Sequence, residues 1–365
     1  MRMAPGSRAG VFVIGPMPPP LNGWSLATAA MVERLRAVAA VDVFDTSPRT
    51  LRRGWRYHAG RIARSLGACW ALLWRPRSGG RTLYLPLAGG SGSIYDLLVV
   101  CVARARRYRL FLHHHAFSYI TRRSRWTTLL TAIAGREATH ICLCAVMAEK
   151  LRAQYRGIAR WEVLSNIALI EPGGDTARIP GPGPIRIGFL SNLVPEKGLD
   201  TVIDLCRELR RTGRDVTLCV AGPVEHPSAA ALLEEAQRDL GPAFDYRGPV
   251  YTEAKTAFYR DIDVFLFPTR YANEAQPLVV LEALAAGVPV IAAPRGCIAD
   301  DLATGGFVSS DSAFRAESGE IIAGWLADRS RLAGASVAAV RRAAELRHNA
   351  ADQLKRLVEE MLSVR

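Results

Sequence analysis

No hydrophobic run in this sequence is long enough to cross a bilayer. The stretch Asp96–Ala103 (DLLVVCVA) stops at arginine, well short of the roughly 20 residues that a membrane-spanning helix needs. The opening MRMAPGSRAGVFVIGPMPPP holds one short apolar run, Val11–Ile14, before a proline cluster, too little for the core of a secretory signal. The chain is therefore expected to be soluble or to lie on a membrane surface. Cysteine is also sparse and scattered, at positions 69, 101, 142, 144, 206, 219 and 297. A disulfide framework needs paired spacings in a small secreted chain, and Cys142 and Cys144 have no second pair to complete a zinc site. The expected compartment is reducing and cytosolic. The G-x-G-x-x-G fingerprint is missing too, because Gly15 and Gly23 stand eight positions apart, which argues against a nicotinamide-dependent dehydrogenase.

Acidic residues are short in one half. Residues 1–178 hold 26 Lys+Arg against 9 Asp+Glu, a balance of +17, and 25 of those 26 are arginine. Residues 179–365 hold 21 against 25, a balance of −4, so the whole net charge of +13 originates in the first half. Such a half is drawn to polyanions: phospholipid head groups, pyrophosphates or nucleic acid. No nucleic-acid motif accompanies the charge, so none is expected as a partner.

What is present suggests two domains. A length of 365 residues exceeds one compact core, and 49% hydrophobic with 22% charged residues is a globular balance. The first half alternates strand-like runs (Val11–Ile14, Val41–Phe44, Thr82–Leu87, Tyr108–His114 and Val163–Ile170) with helix-like stretches such as Ser25–Val38. Residues 172–184 (PGGDTARIPGPGP) then read as a hinge, with four prolines and four glycines. The alternation restarts with strands at Ile185–Leu190, Val216–Ala221, Phe244–Arg247, Val264–Phe267 and Val288–Ala292, and helices at Leu199–Thr212 and Ser228–Leu240. Apolar residues at Leu354, Leu357, Val358, Met361 and Leu362 make a terminal amphipathic helix. The expected fold class is α/β: two Rossmann-like doubly wound domains, 1–171 and 185–345, with a cleft between them, and a helix over 346–365 that packs back on the first domain.

The strongest local signal is Asn273–Gly287 (NEAQPLVVLEALAAG). Pro277 is placed as the first helical residue and Gly287 as the residue past the end. The amides of residues 275–279 with the helix dipole offer a seat for a pyrophosphate, flanked by Glu274 and Glu282, which can accept hydrogen bonds from sugar hydroxyls. An ordinary helix with two surface glutamates is the competing reading.

Two glutamates seven apart, the run EALAAGVPVIA and the preceding Phe267-Pro268-Thr269 resemble the retaining nucleotide-sugar glycosyltransferases of family 4, whose fold is the two-domain GT-B arrangement. The resemblance covers most of residues 10–300. It implies that Glu274 contacts the transferred sugar and Glu282 the nucleotide ribose, with Ala275, Gln276, Pro277 and Leu278 binding the donor. The family also carries an arginine and a lysine after the first strand of its second domain. In Ser191–Gly198 (SNLVPEKG), Lys197 matches the lysine, but Asn192 stands where the arginine usually is. That departure implies either weaker phosphate binding or another basic residue, such as Arg270 or Arg295, in the arginine's place. Base selection falls to backbone near Gly248–Tyr251, hence Val250 and Tyr251.

In the first half the loop Gly15–Gly23 (GPMPPPLNG) resembles the family's loop near the donor's reactive end, with Gly23 allowing close backbone approach. Phe111–Phe117 (FLHHHAF) ends a strand, and alternation puts His113 and His115 on one face and His114 on the other. The resemblance implies that a histidine here faces the transferred sugar, His115 first and His113 second. Neighbouring strand residues diverge, so the three are a poor metal set. Asp261-Ile262-Asp263 matches the Asp-x-Asp of the other large glycosyltransferase fold, but it opens a strand at the end away from the expected site and reads as solvated charge. No metal and no cofactor are therefore expected. Ala88–Ser93 is either an acceptor loop or a simple turn. Arg61–Arg77, with Trp70 and Trp74, is either a membrane-surface helix or a helix packed on its own sheet.

The function implied is a metal-independent hexosyltransferase (EC 2.4) acting on a UDP or GDP sugar and a saccharide or polyprenyl-pyrophosphate-linked acceptor. Its place is then surface polysaccharide or glycoconjugate synthesis, in the cytoplasm or on the inner face of the cell membrane. A non-catalytic nucleotide-sugar scaffold, which Asn192 favours, and a GT-B nucleotide-sugar epimerase are the alternatives.

Overall fold

The computed structural model describes residues 10–47, 55–75, 81–170, 176–179 and 181–363. Of the Pro/Gly segment expected as a hinge, residues 172–175 and 180 lie outside the described residues, as do residues 76–77 at the end of Arg61–Arg77. The chain divides into two compact units, one of Met1–Ile170 with Asn349–Arg365, the other of Glu171–His348.

The first unit is a six-stranded parallel sheet. Its strands are β1 (Gly10–Gly15), β2 (Ala40–Asp45), β3 (Thr82–Leu87), β4 (Arg109–His114), β5 (Thr139–Cys142) and β6 (Arg160–Val163), in the order β2-β1-β3-β4-β5-β6. The crossover helices are α1 (Gly23–Arg36), α2 (Trp55–Trp74), α3 (Ser93–Ala105), α4 (Ser118–Thr121), α5 (Arg125–Ala134) and α6 (Ala145–Gln154). The sheet is covered on both faces, as a parallel sheet must be. Along β1, Val11 and Val13 join one core with Ala27, Met31 and Leu35 of α1. Phe12 and Ile14 join the other, with Ala68 and Leu72 of α2, Val100 and Ala103 of α3 and Leu130 of α5. The start of α1 is fixed by a capping box: the Ser25 amide donates to the Asn22 side chain at 3.0 Å and the Asn22 amide to Ser25 Oγ at 3.2 Å.

The second unit repeats the plan. Its strands are β7 (Ile185–Leu190), β8 (Val216–Ala221), β9 (Phe244–Tyr246), β10 (Val264–Phe267), β11 (Val290–Ala292) and β12 (Phe307–Val308), in the order β12-β11-β10-β7-β8-β9, all parallel. The helices are α7 (Leu199–Arg211), α8 (Pro227–Leu240), α9 (Thr252–Asp261), α10 (Leu278–Ala285), α11 (Ile298–Leu302), α12 (Phe314–Ala327) and α13 (Arg329–Leu362). The last of these is 34 residues long and ends within the first unit. There Leu357 and Met361 are buried with Met31 and Tyr84, the Met361 carbonyl accepts from Thr82 Oγ1 at 2.9 Å, and Glu360 pairs with Arg160 at 2.6 Å.

One reading of the sequence is corrected. The run Val163–Ile170 is not the last strand. Strand β6 ends at Val163, and residues Asn166–Leu169 form a 3-10 turn whose Ile167 and Leu169 are buried. Thr139–Cys142, a fully buried strand of four residues, has no counterpart among the expected strands. Among the described residues, Cys69, Cys101, Cys142, Cys206 and Cys219 are free thiols.

Because Leu357 lies wholly inside the first unit's core, Leu357→Ala should destabilise that unit by about 2–5 kcal/mol through lost transfer energy and a residual cavity. Urea unfolding followed by intrinsic fluorescence reads this. A cost within about 0.5 kcal/mol of zero means that the terminal helix is not part of that core.

Candidate functional site

In the second unit, β7 is the first strand in sequence and β10 lies beside it, with β8 and β9 on the other side. The strand order therefore reverses between β7 and β10, and ligands of doubly wound sheets bind beyond the carboxyl ends at such a point. The loops leaving these two strands carry Lys197 and Glu274. Lys197 Nζ lies 2.5 Å from Glu274 Oε2, and both side chains are largely buried. Thr269 Oγ1 donates to the same carboxylate oxygen at 3.1 Å, and the ammonium sits 4.9 Å from the centre of the Tyr271 ring. A desolvated ion pair costs more to form than one in water, so these two groups are held in place by the loops, not by their own attraction alone.

The loops meet closely because Gly198 has φ +84 and a Cβ there would stand 2.4 Å from the Pro268 carbonyl oxygen. The Arg270 amide donates to the Glu196 carbonyl at 2.7 Å. On the other side, Gly296 has φ +57 and its Cβ would stand 2.1 Å from the Ala275 carbonyl oxygen, while the Cys297 amide donates to that same oxygen at 2.6 Å. The segment 274–277 is thus clamped from both flanks. Pro277 is the cap of α10 with extended geometry, and not its first helical residue; the helix begins at Leu278. The reason is that ψ 124 at Pro277 turns the chain into the helix one residue later. Gly287 follows the helix with φ +69, where a side chain would strike the Thr176 carbonyl oxygen.

Glu282 lies in the second turn of α10, and its carboxylate is held at both oxygens. Lys255 Nζ is 2.6 Å from Oε1 and Tyr259 Oη donates to Oε2 at 2.9 Å. Burial and the neighbouring Glu282 push the Tyr259 phenol well above its ordinary value, so it stays a donor. Lys255 and Tyr259 were missed by the sequence reading; both come from α9, a helix with no motif of its own. Gln276 Nε2 donates to Asp301 Oδ1 at 2.6 Å, and burial pushes the Asp301 carboxyl up to about 8.

The substitutes for the absent arginine are engaged elsewhere. Arg270 is paired to Asp200 at 2.9 Å and donates to the Pro195 carbonyl at the same distance, and Arg295 is paired to Asp311. Asn192 Nδ2 donates to Glu225 Oε1 at 2.8 Å, and burial raises the Glu225 carboxyl while Lys197 pulls it down. Val250 is buried and Tyr251 is exposed just ahead of α9. The Gly248 carbonyl accepts from the Gly222 amide at 2.8 Å. Asp261 and Asp263 are not free in solvent as expected but paired, to Arg247 at 2.7 Å and Arg186 at 3.0 Å, because Arg186 on β7 and Arg247 after β9 bring guanidinium groups within reach of them.

In the first unit, Gly15 ends β1 and a Cβ there would meet Pro86 Cγ of β3 at 2.6 Å. Gly23 is the first residue of α1. His113 and His115 share a face, their rings 4.1 Å apart. His113 is wholly buried and its Nδ1 lies 2.6 Å from Tyr84 Oη. His114, on the opposite face, bonds Tyr119 Oη and His140 Nδ1, each at 2.9 Å. His115 follows the strand, half-buried, with its Nε2 enclosed and without a hydrogen-bond partner. Burial lowers His115 to about 3 and His140 to about 4, and drives His113 and His114 down as well. A cavity of about 510 Å³ lined by Arg104, Arg107, Arg109 and Arg160 opens at the amino-terminal edge of β4–β6, away from these histidines.

Comparison with known proteins fits this geometry. Residues 184–323 match the family model described as glycosyl transferases group 1. The matched segment lies within the second unit and contains Lys197, Glu274 and Glu282. A curated relative, the GDP-mannose-dependent alpha-(1-6)-phosphatidylinositol monomannoside mannosyltransferase of Mycobacterium tuberculosis, is 32% identical over 153 residues, covering 36% of this chain and 39% of that one. The match is therefore to well under half of the relative's length. The sucrose-phosphate synthase of Thermosynechococcus elongatus superposes over 97% of this chain and 99% of its own, with TM-score 0.73 at 17% identity. The Anabaena protein HepE, solved with UDP, superposes over 98% and 100% with TM-score 0.70 at 16% identity. These likenesses establish the fold as GT-B, with two Rossmann-like units.

The four buried histidines should remain neutral at pH 5, read as neutral-imidazole ring nitrogen shifts in long-range ¹H–¹⁵N NMR spectra. Their lowered values stabilise the fold fully above about pH 6.5, and that contribution is lost as pH falls towards about 4. Asp96, raised by burial to about 7, works in the opposite direction, gaining stability over the same fall. Imidazolium shifts at pH 5 from this cluster would refute the buried, neutral arrangement.

Proposed function

We propose that the protein is a retaining, metal-independent glycosyltransferase that moves a hexose from a UDP or GDP sugar to a saccharide or lipid-linked saccharide in surface glycoconjugate synthesis. The observation that carries this reading is the buried Lys197–Glu274 pair at the turning point of the second sheet, beside the opening of α10. It supplies a cation for a diphosphate and a carboxylate for a sugar in one place, which an ordinary polar turn does not need.

In this reading the donor diphosphate draws Lys197 from Glu274, and the amides opening α10 add the helix's positive end. The freed Glu274 carboxylate, still held by Thr269, accepts from hydroxyls of the transferred sugar. Glu282 takes the ribose hydroxyls, with Lys255 and Tyr259 fixing its orientation. The bond from the anomeric carbon to the diphosphate oxygen breaks, the acceptor oxygen bonds to that carbon on the same face, and the acceptor's proton passes to the departing diphosphate. No protein nucleophile is required. His115 of the first unit, neutral over the working pH range, is suited to hydrogen-bond a sugar hydroxyl. The mannosyltransferase relative is named for GDP-mannose and HepE was solved with UDP, which supports both donor classes.

A scaffold reading is favoured by one observation: Asn192 occupies the arginine's position and is bonded to Glu225. Donor binding and turnover separate the two. Nucleotide sugars screened by thermal shift should select one donor, and Glu282→Ala should weaken it by roughly ten- to a hundredfold, as expected for losing a charge-assisted hydrogen-bond pair. Lys197→Ala should leave ribose recognition in place and reduce turnover more than donor affinity. Binding without release of nucleoside diphosphate in the presence of any acceptor favours the scaffold. Chelation with EDTA should leave turnover unchanged; a loss restored by a divalent cation overturns the metal-independent assignment.

A further inference from the structure

Between Asp45 and Glu137 the sequence holds 17 arginines and no lysine, and Asp96 is its one acidic residue. Asp96 is buried, its carboxylate accepting from the Ala88 amide at 2.7 Å. The helices of this stretch, α2, α3 and α5, lie side by side on one face of the first sheet, with α3 in the middle. Their inner sides fill the core. Their outer sides are unusually apolar. On α2 the exposed residues Ile62, Leu66, Trp70, Leu73 and Trp74 follow a helical spacing of three and four, with Leu66 58%, Trp70 64% and Trp74 69% exposed. The two indoles pack against each other at a tilt, 5.2 Å between centroids. Exposed Ile94 and Leu98 on α3 and Leu129 on α5 continue the surface.

Cations edge this layer at both ends. Arg122, Arg123 and Arg125 are exposed at the start of α5, and Arg104 and Arg107 at the end of α3. Large exposed apolar areas on soluble proteins mark interaction sites. Exposed tryptophans amid arginines, in a stretch whose one carboxylate is buried, fit a lipid–water interface. Indoles sit at head-group depth there, and arginines neutralise lipid phosphates. A partner protein that also satisfied so one-sided a charge would need an equally acidic face; an anionic bilayer offers it without specific matching.

We propose that the outer layer of α2, α3 and α5 is a docking surface for anionic phospholipid bilayers. The helices lie flat on the lipid, with Leu66, Trp70 and Trp74 inserted among the head groups.

The test is co-sedimentation of the full chain with vesicles of equal parts phosphatidylcholine and phosphatidylglycerol, and with pure phosphatidylcholine. The wild-type chain should pellet with the anionic vesicles at low salt, stay in solution with the neutral ones, and be released by salt. Trp70→Glu with Trp74→Glu should reduce partitioning by at least about tenfold. Arg122→Gln, Arg123→Gln and Arg125→Gln together should reduce it by about ten- to a hundredfold at low salt. All these side chains are exposed, so folding is preserved, and unchanged thermal shifts with the preferred nucleotide sugar check it. Absence of anionic-vesicle binding by the wild type, or binding unaltered in both variants, overturns the proposal. So does a wild-type dimer in sedimentation velocity that the tryptophan variant dissociates without lipid, because a second copy then covers the surface. The assay contains neither donor nor acceptor, and its failure leaves the assigned chemistry untouched.

Discussion

The candidate site depends on one topological constraint: β10 runs beside β7, so two loops 77 residues apart in sequence leave the sheet together. Parallel pairing fixes that proximity to within the register of two short strands, Val264 opposite Ile187 and Phe265 opposite Gly188. Close approach then demands glycine. A side chain at Gly188 would strike Ile262, and one at Gly198 the Pro268 backbone. The desolvation cost of bringing Lys197 against Glu274 is met by this scaffold and by Thr269, which supplies a second hydrogen bond to the carboxylate. In the proposed function, a diphosphate would take the carboxylate's place beside the lysine and sugar hydroxyls the lysine's place beside the carboxylate.

Much of this was legible in the sequence because it is local. The helix after Pro277 shows its start and stop in single residues, and Lys197 and Glu274 stand in loops directly after apolar runs. What escaped was set by tertiary contact. Lys255 and Tyr259 belong to an ordinary amphipathic helix, and their meaning appears only when α9 packs beside Glu282. The missing arginine could not be replaced by reading alone. Arg270 and Arg295 flank the Glu274–Gly287 segment in sequence, yet each is paired to a carboxylate of its own. The misread strand has the same origin. Val163–Ile170 is apolar enough for a strand, but Ser165 turns the chain, its hydroxyl accepting from the Ile167 amide, and the following side chains are buried as a 3-10 turn.

The histidine triplet illustrates how a chemical motif dissolves into structure. Pleating sends His114 to one side and His113 and His115 to the other, as alternation requires. His114 and His140 face each other under Tyr119, and His113 is closed off by Tyr84. Only His115 lies beyond the last strand residue, where the chain leaves the sheet. Neutral rings suit all four environments, since each lies in a pocket too dry to hold an uncompensated charge. Burial favours the neutral form of all three rings, and His115, whose Nε2 has no hydrogen-bond partner, is the one that lies outside the sheet.

The arginine excess of the first half divides by the same physics. Part of it is structural, because a guanidinium reaches backbone carbonyls and aromatic faces that an ammonium serves less well. Arg106 donates to the Arg75 carbonyl, Arg109 to the Glu360 carbonyl, and Arg152 lies over the Trp161 ring. These side chains hold turns and the terminal helix together, and their charge is partly screened by the groups they cap. The remainder, at the ends of α3 and α5, is exposed and faces no carboxylate from its own stretch of chain. Charge of that kind destabilises a fold through self-repulsion unless a counter-charge is supplied from outside. Its position beside the exposed indoles of α2 is what the proposed bilayer docking surface rests on.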